Sequence, residues 1–384
     1  MQTKKLVLIL DPFNTYTPSR GGATATIYYH CSREAQRDGF APVVLARPFN
    51  APSYAVPQVL GVAPPRPAIP GWPLLSRVER KLLGYQHIGH RGYIRRLVKL
   101  LRAEGLENSP IITSESPEAA VCLAEAYPAA RVIHWFHTSH LCKPRFRKSL
   151  RESSVRCVAV SAFTARWAER AYGLPIGSVQ AVFNAVDLEA FRPGDTPAPL
   201  PLVINYHGRI SPDKGPDLLL KASLILARRG RRFALQFVGS NHSDGLVVDE
   251  YQKGLMAREG ELANYGVVVR RYGLIAQPDV PHLLRKAHIH VCTSRCDEAF
   301  GMATLEGMAC GLATVASDTG GTPEVVGDAG FLFERGSVEQ LAGHLERLIL
   351  DEGLRREYAA KARQRAEQFT WAKTWAGIRD VITG

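Results

Sequence analysis

Twice along the chain the same grammar returns: a short apolar run, a turn, a stretch with helical spacing, and another apolar run. This alternation constrains the fold more than any other feature. Parallel strands need a long crossover between them, usually a helix, and a sheet covered on both faces reads as near-continuous apolar runs. The first series holds Leu6 to Leu10, the helical "ATATIYYHCSREAQRDG", then "APVVLA", "SPIIT", "ARVIHWF" and "VRCVAVS". The second holds "LVINYHG", "PDLLLKASLILARRG", "FALQFVG", "YGVVVRRYG", "DVPHLLRKA", "IHVCTS", "FGMATLEGMACG" and "LATVAS". Between them the proline-rich "FRPGDTPAPLP" (191–201) closes the first series. The expectation is α/β, with two Rossmann-like domains, each an open, largely parallel sheet. Two such domains facing one another enclose a cleft outside the carboxyl ends of their strands, where open α/β sheets bind ligands.

The length of 384 residues fits this division, since domains average roughly 150 residues. Residues 48–73 carry eight prolines and few periodic apolar positions, which predicts an irregular excursion rather than core. From Ser337 onward the chain reads as helix through "TWAKTWAGIRDVI". There Trp371 and Trp375, four residues apart, share a face for packing or, alternatively, for stacking on a sugar.

The net charge of +12 is uneven: residues 1–190 hold 24 Lys/Arg against 13 Asp/Glu, and residues 191–384 hold 24 against 23. The excess concentrates in 77–102 and in "KPRFRKSLRESSVR" (143–156), which is either a solvated face or an attractor for an anionic acceptor or membrane surface. No zinc-finger spacing or RNA-binding aromatic motif supports nucleic acid. The seven cysteines are odd in number and show no regular framework, which reads as reduced thiols in a cytoplasmic protein. The opening apolar run is too short to cross a bilayer, and Asp11 and Pro12 follow it at once.

The candidate binding groups lie at strand-to-helix turns. Gly21 and Gly22 follow the first strand and serve as a plain turn or as a close backbone approach to a ligand. Neither a G-x-G-x-x-G dinucleotide fingerprint nor a G-x-x-x-x-G-K-[ST] phosphate loop is present. "YHGRISPDKGPD" places Arg209 and Lys214 beside Gly208 and Gly215, suited to neutralise a diphosphate as it departs. In "SRCDEAFGMATLEGMACG", Glu298 and Glu306 flank Phe300 and Gly301. Eight positions at about 100° per residue set the two acids roughly 80° apart even on one helix. That separation suits contact with different parts of one elongated ligand and does not establish a hydrolytic pair. Gly320 and Gly321 in "SDTGGTPEVV" form another turn with amides to offer, beside Glu324. His134, His137 and His140 fall in "HWFHTSH"; a ligand-facing His137 is weighed there against structural roles and, least of all, a metal. His288, His290 and Cys292 alternate along a strand and read as core rather than zinc ligands.

Together "EAFGMATLEGMACG", "GRISPDKG", "FNAVDLEAFRP" and "SDTGGTPEVV" resemble the family 4 retaining glycosyltransferases of GT-B fold, over essentially the full chain. The resemblance implies an N-terminal acceptor-binding domain (1–190), a C-terminal nucleotide-sugar-binding domain (200–365) and a terminal helix (366–384) crossing back to the first. It implies that Glu306 accepts hydrogen bonds from the donor ribose and that Glu298 faces the transferred sugar. Arg209 and Lys214 then bind the diphosphate, Gly22 approaches it from the first domain, His137 lies near the donor sugar, and Gly320 and Gly321 form the turn beneath. Gly21, Gly208, Phe300 and Gly301 complete the expected donor-binding set. Ala185 and Ala313 depart from the glycine and proline frequent in the family. The expected co-substrate is a nucleotide sugar, a UDP-sugar in preference to GDP or ADP. Without an Asp-x-Asp signature, no essential divalent metal is expected. A non-hydrolysing epimerase and a silent sugar-binding protein are the competing readings.

Overall fold

A computed structural model of the chain describes residues 4–18, 22–56, 58–64, 87–139, 144–194, 201–240 and 249–384. By internal contacts the chain forms two compact units: Met1–Asn184 with Trp371–Gly384, and Ala185–Thr370.

In the first unit the strands are β1 (Lys4–Ile9), β2 (Phe40–Ala46), β3 (Gln58–Gly61), β4 (Ile111–Ser114), β5 (Val132–Phe136), β6 (Arg156–Ala159) and β7 (Val179–Ala181). Helices α1 (Ala23–Arg37), α2 (His87–Ala103), α3 (Pro117–Ala126), α4 (Pro144–Glu152) and α5 (Ala162–Tyr172) alternate with them. The sheet order is β3-β2-β1-β4-β5-β6-β7, and each of its ladders is parallel. Val7, Ile9, Val43, Leu45, Ile111 and Val132 form one face of its core with Leu97, Leu101 and Leu123. The proline-rich excursion contains an edge strand after all, β3, paired with β2 from Val43↔Gln58 to Ala46↔Gly61. An edge is where a sheet tolerates flanking prolines, because one side of the strand owes no ladder hydrogen bonds. Residues 65–73 of that excursion lie outside the described residues.

The second unit holds β8 (Val203–His207), α6 (Pro216–Arg228), β9 (Ala234–Val238), α7 (Glu250–Ala263), β10 (Val268–Arg271), α8 (Val280–Leu284), β11 (Ile289–Cys292), α9 (Met302–Ala309), β12 (Ala313–Ser317), α10 (Thr322–Val326), β13 (Phe331–Phe333), α11 (Val338–Leu350) and α12 (Glu352–Ala366). Its parallel sheet runs β10-β9-β8-β11-β12-β13. Leu219, Leu226, Leu235, Phe237, Val291, Val315 and Leu345 anchor the core.

The units divide at Asn184/Ala185 rather than in the proline-rich stretch, for a physical reason. Ala185, Val186 and Phe191 are buried. The Val186 amide donates to the Phe369 carbonyl at 3.4 Å, and Arg363 donates to the Phe191 carbonyl at 2.9 Å. "NAVDLEAF" is thus tied to the second unit. The tail read as continuous helix is three helices, broken at Asp351, which caps α12 by accepting from the Leu354 amide, and at 367–370. The last, α13 (Trp371–Thr383), belongs to the first unit. Trp371 stacks on His30 with centroids 4.7 Å apart, and the Trp375 indole donates to Asp38 at 2.7 Å. Both rings are buried, so they pack rather than offer a platform.

Candidate active site

In the second unit the chain order reverses between β8 and β11, so the loops leaving these strands diverge and open a crevice at their carboxyl ends. The Arg209–Gly215 loop, the Thr293–Gly301 loop and the Asp318–Gly321 turn meet there. Two glycines set how closely. Gly215 has φ 63°, and a Cβ on it would lie 2.3 Å from the Thr293 carbonyl oxygen. Gly320 has φ 58°, and a Cβ on it would lie 2.1 Å from the Glu298 carbonyl oxygen. Only glycine combines that left-handed backbone with so close an approach. Backbone bonds from Arg295 to the Asp213 carbonyl (2.7 Å) and from Gly321 to the Glu298 carbonyl (2.7 Å) complete the seam.

The seam delivers Lys214 to Glu298. The ammonium donates to Glu298 Oε1 at 2.6 Å, with each side chain more than four-fifths buried, and the Ser294 hydroxyl donates to the same oxygen. Burial opposes the charge on Lys214, but the Glu298 carboxylate outweighs it and holds the ammonium above its ordinary pKa. Arg209 pairs with Asp213 at 2.9 Å with both side chains about two-fifths exposed. Such a surface pair is weak and readily exchanged for another anion. Glu306, on α9, is buried and lies 3.2 Å from His207 Nδ1 at the end of β8. Gly301 caps α9 at φ 105° without a side-chain bond, and the first amides of a helix have no partner within it.

Beneath α9 runs a buried polar row. Gln236 donates to Asn205 Oδ1 at 2.9 Å, and the Asn205 amide donates to His290 Nδ1 at 3.1 Å. Burial pushes His290 down to about 3, so the ring is neutral, and a Cβ on Gly307 would fall 2.4 Å from it. His290 is therefore a seat for α9. His288 likewise accepts from the Val203 amide at 3.1 Å. Among the described residues no group of three or more His, Cys, Asp or Glu side chains could hold a metal ion.

Two expected contacts look different in the structure. The Phe300 ring is buried against Phe369, centroids 5.8 Å apart, so only its backbone borders the crevice. The Gly321 amide is committed to Glu298 and is not on offer to a ligand.

In the first unit Gly22 begins α1, and Gly21 lies outside the described residues, as does His140. His134 pairs with Thr113 at 3.0 Å. His137 follows β5, buried against Trp135 and Tyr28, and among the described residues neither ring nitrogen has a hydrogen-bond partner. Burial pushes it down to about 3, so the ring is neutral. Sequence reasoning passed over Glu115, just after β4. It is the one non-glycine residue with positive φ among those described, at 56°. Burial pushes its carboxyl up to about 7, against the hydrogen bond from Thr138. A raised carboxyl pKa stabilises the fold at low pH, and that contribution is lost as pH rises through about 7. Glu115→Gln, which does not titrate, should match the wild type near pH 4 and exceed its stability by up to about 3 kcal/mol at pH 8. Urea unfolding at the two pH values checks this; a difference independent of pH would contradict it.

Residues 192–365 match the family model described as Glycosyl transferases group 1, and residues 20–190 match Glycosyltransferase Family 4. The D-inositol 3-phosphate glycosyltransferase of Saccharomonospora viridis is 33% identical over 226 residues, covering 55% of this chain and 51% of that one. The chain thus spans about half the length of the curated relatives it matches. HepE of Anabaena, solved with UDP and glucose, superposes with a TM-score of 0.73 at 17% identity, over 98% of this chain and 99% of that one. Sucrose-phosphate synthase of Thermosynechococcus elongatus gives 0.74 at 17% identity, over 98% of both chains. Two Rossmann-like units of this kind define the GT-B fold. The chain belongs to the family 4 glycosyltransferases.

Among the described residues no helix is long and apolar enough to cross a membrane.

Proposed function

We propose that the protein is a retaining hexosyltransferase, moving a hexosyl or N-acetylhexosaminyl group from a UDP-sugar to an acceptor hydroxyl. The observation that carries this reading is the Lys214–Glu298 pair at 2.6 Å on the switch-point seam, with Arg209 and the uncapped start of α9 on the same crevice. Cations and the amides of a helix start favour a diphosphate, and carboxylates favour sugar hydroxyls. An ammonium has three donors, so Lys214 can hold Glu298 and still reach a phosphate oxygen. HepE, of the same fold, was solved with UDP and glucose, which supports uridine as the base.

In this reading the acceptor oxygen attacks the anomeric carbon on the face from which UDP leaves. The bond to the phosphate oxygen breaks, its electron pair passes to the diphosphate, and a phosphate oxygen takes the acceptor's proton. Lys214 and Arg209 stabilise the charge gathering on the leaving group. Glu306 receives the ribose hydroxyls and Glu298 orients the transferred sugar; in the first unit neutral His137 offers its ring nitrogens to a sugar hydroxyl. The first unit, with Gly22 at the start of α1, holds the acceptor. A donor and acceptor matrix read by mass spectrometry, with donor-only controls, tests the reading. An acceptor gaining one sugar is expected; a new sugar from donor alone would make it an epimerase.

The same reading needs no divalent ion, because protein cations neutralise the diphosphate. Turnover should survive exhaustive chelation; strict loss restored by Mg²⁺ or Mn²⁺ would reject this. The basic first half, with Lys148 exposed on α4, fits a cytoplasmic enzyme working beside an anionic membrane. Flotation with anionic vesicles should show association at low salt that weakens at high salt; no association at either would count against it.

A further inference from the structure

The first unit has its own switch point, between β1 and β4, and the structure leaves an unanswered acceptor atom there. Glu115 leaves β4 in a left-handed conformation that a side chain with a Cβ adopts only under strain. Such strain persists where the surroundings impose it, and it clusters at binding sites. Thr138, on the loop after β5, donates to Glu115 Oε2 at 2.6 Å. Oε1 is buried and receives no hydrogen bond among the described residues. A buried carboxylate oxygen without a donor is costly, and a ligand hydroxyl would satisfy it. Among the described residues, the segments that follow β1, β4 and β5 (10–18, 115–116 and 137–139) bring no lysine or arginine. After β1 comes Asp11, whose carboxylate accepts from the Phe13 amide at 2.9 Å and which burial holds above its usual pKa. After β5 comes His137, neutral and with both nitrogens unanswered among the described residues.

We propose that Glu115 selects the acceptor: Oε1 takes a hydrogen bond from a hydroxyl of a neutral sugar or polyol, and this crevice rejects a phosphate group. The inference rests on the proposed glycosyl transfer for the word acceptor, but not for the binding. It also separates this chain from relatives whose name specifies a phosphorylated inositol. Above about pH 7, where Glu115 is ionised, carboxylates at the ends of adjacent strands repel a phosphate dianion where a cation would draw it in. Basic residues elsewhere in the first unit can still attract an anionic surface without contacting the reacting end of the acceptor.

The test is saturation-transfer NMR on the full chain at about pH 8, above the raised Glu115 value, with saturating UDP, using methyl α-D-glucopyranoside, myo-inositol and inositol monophosphate as probes. At least one neutral probe should bind, and the monophosphate should bind more weakly than its parent. Glu115→Gln, which keeps the shape and removes the charge, should weaken the neutral probe about tenfold. Glu115→Ala should weaken it further, and both variants should keep wild-type affinity for UDP. Failure of every neutral probe, tighter binding of the monophosphate, or unchanged binding in both variants would overturn the proposal. Loss of UDP binding by the wild type would instead strike the reading of the second unit, so the two failures are told apart.

Discussion

Lys214→Ala should slow turnover at saturating donor on the order of 10²-fold or more, the loss typical of one removed donor to a developing charge. The effect is large because the ammonium is mostly buried, where a charge on a departing phosphate is poorly screened by water. Arg209 is a different case: its partner Asp213 is exposed, so Arg209→Ala should cost less alone and add to the Lys214 effect. Lys214→Ala also leaves the Glu298 carboxylate in its buried seat without a cation. Breaking such a pair costs about 3–5 kcal/mol when fully buried, and less at this partial exposure. The double variant Lys214→Ala/Glu298→Gln separates the two consequences. It should recover most of the lost thermal stability and none of the lost rate. Recovery of both would mean that Lys214 serves only to neutralise Glu298.

Gly320→Ala should lower the stability of the second unit by more than about 3 kcal/mol and remove UDP binding with it. The new Cβ would lie 2.1 Å from the Glu298 carbonyl oxygen and 2.6 Å from its amide nitrogen, both backbone atoms that cannot step aside cheaply. Left-handed φ adds about 1–2 kcal/mol of strain for alanine. Relaxing the clash means parting the turn from the Glu298 loop, which misplaces the carboxylate and its lysine together. Gly343→Ala is the control, lying within α11 with nothing within 4 Å of the added atom. It should raise stability by about 0.5–1 kcal/mol. Denaturant unfolding of the three proteins, alongside UDP titration, reads both effects. A Gly320→Ala protein as stable as the wild type would contradict the seam described here.

The architecture was legible because buried parallel strands leave long apolar runs: Leu6–Leu10 and "LVINYHG" need no partner to be recognised. What was missed was short or depended on distant residues. β7 and β13 have three residues each, below the length at which a pattern can declare itself. β3 hid among prolines. The placement of "FNAVDLEAFRP" was set by Phe369 and Arg363, far along the chain, and nothing local encodes it. In the site, Arg209, Lys214, Glu298 and Glu306 announced themselves by charge beside glycine. That Lys214 holds Glu298, 84 residues away, follows from the neighbouring of β8 and β11 in the sheet. His207 stood in plain view in "YHGR", and its contact with Glu306 has the same origin. Glu115 was illegible for a sharper reason: a left-handed turn is signalled by glycine, and here a glutamate occupies it.

The account stands on a diphosphate gripped by Lys214 and Arg209 in the second unit. Calorimetric titration with UDP and with uridine, on the wild type and on Arg209→Ala/Lys214→Ala, measures that grip without requiring the sugar or the acceptor to be known. UDP should bind the wild type far more tightly than uridine, and the double substitution should erase most of that difference while leaving uridine unaffected. UDP binding no tighter than uridine, or the same in both proteins, would contradict it.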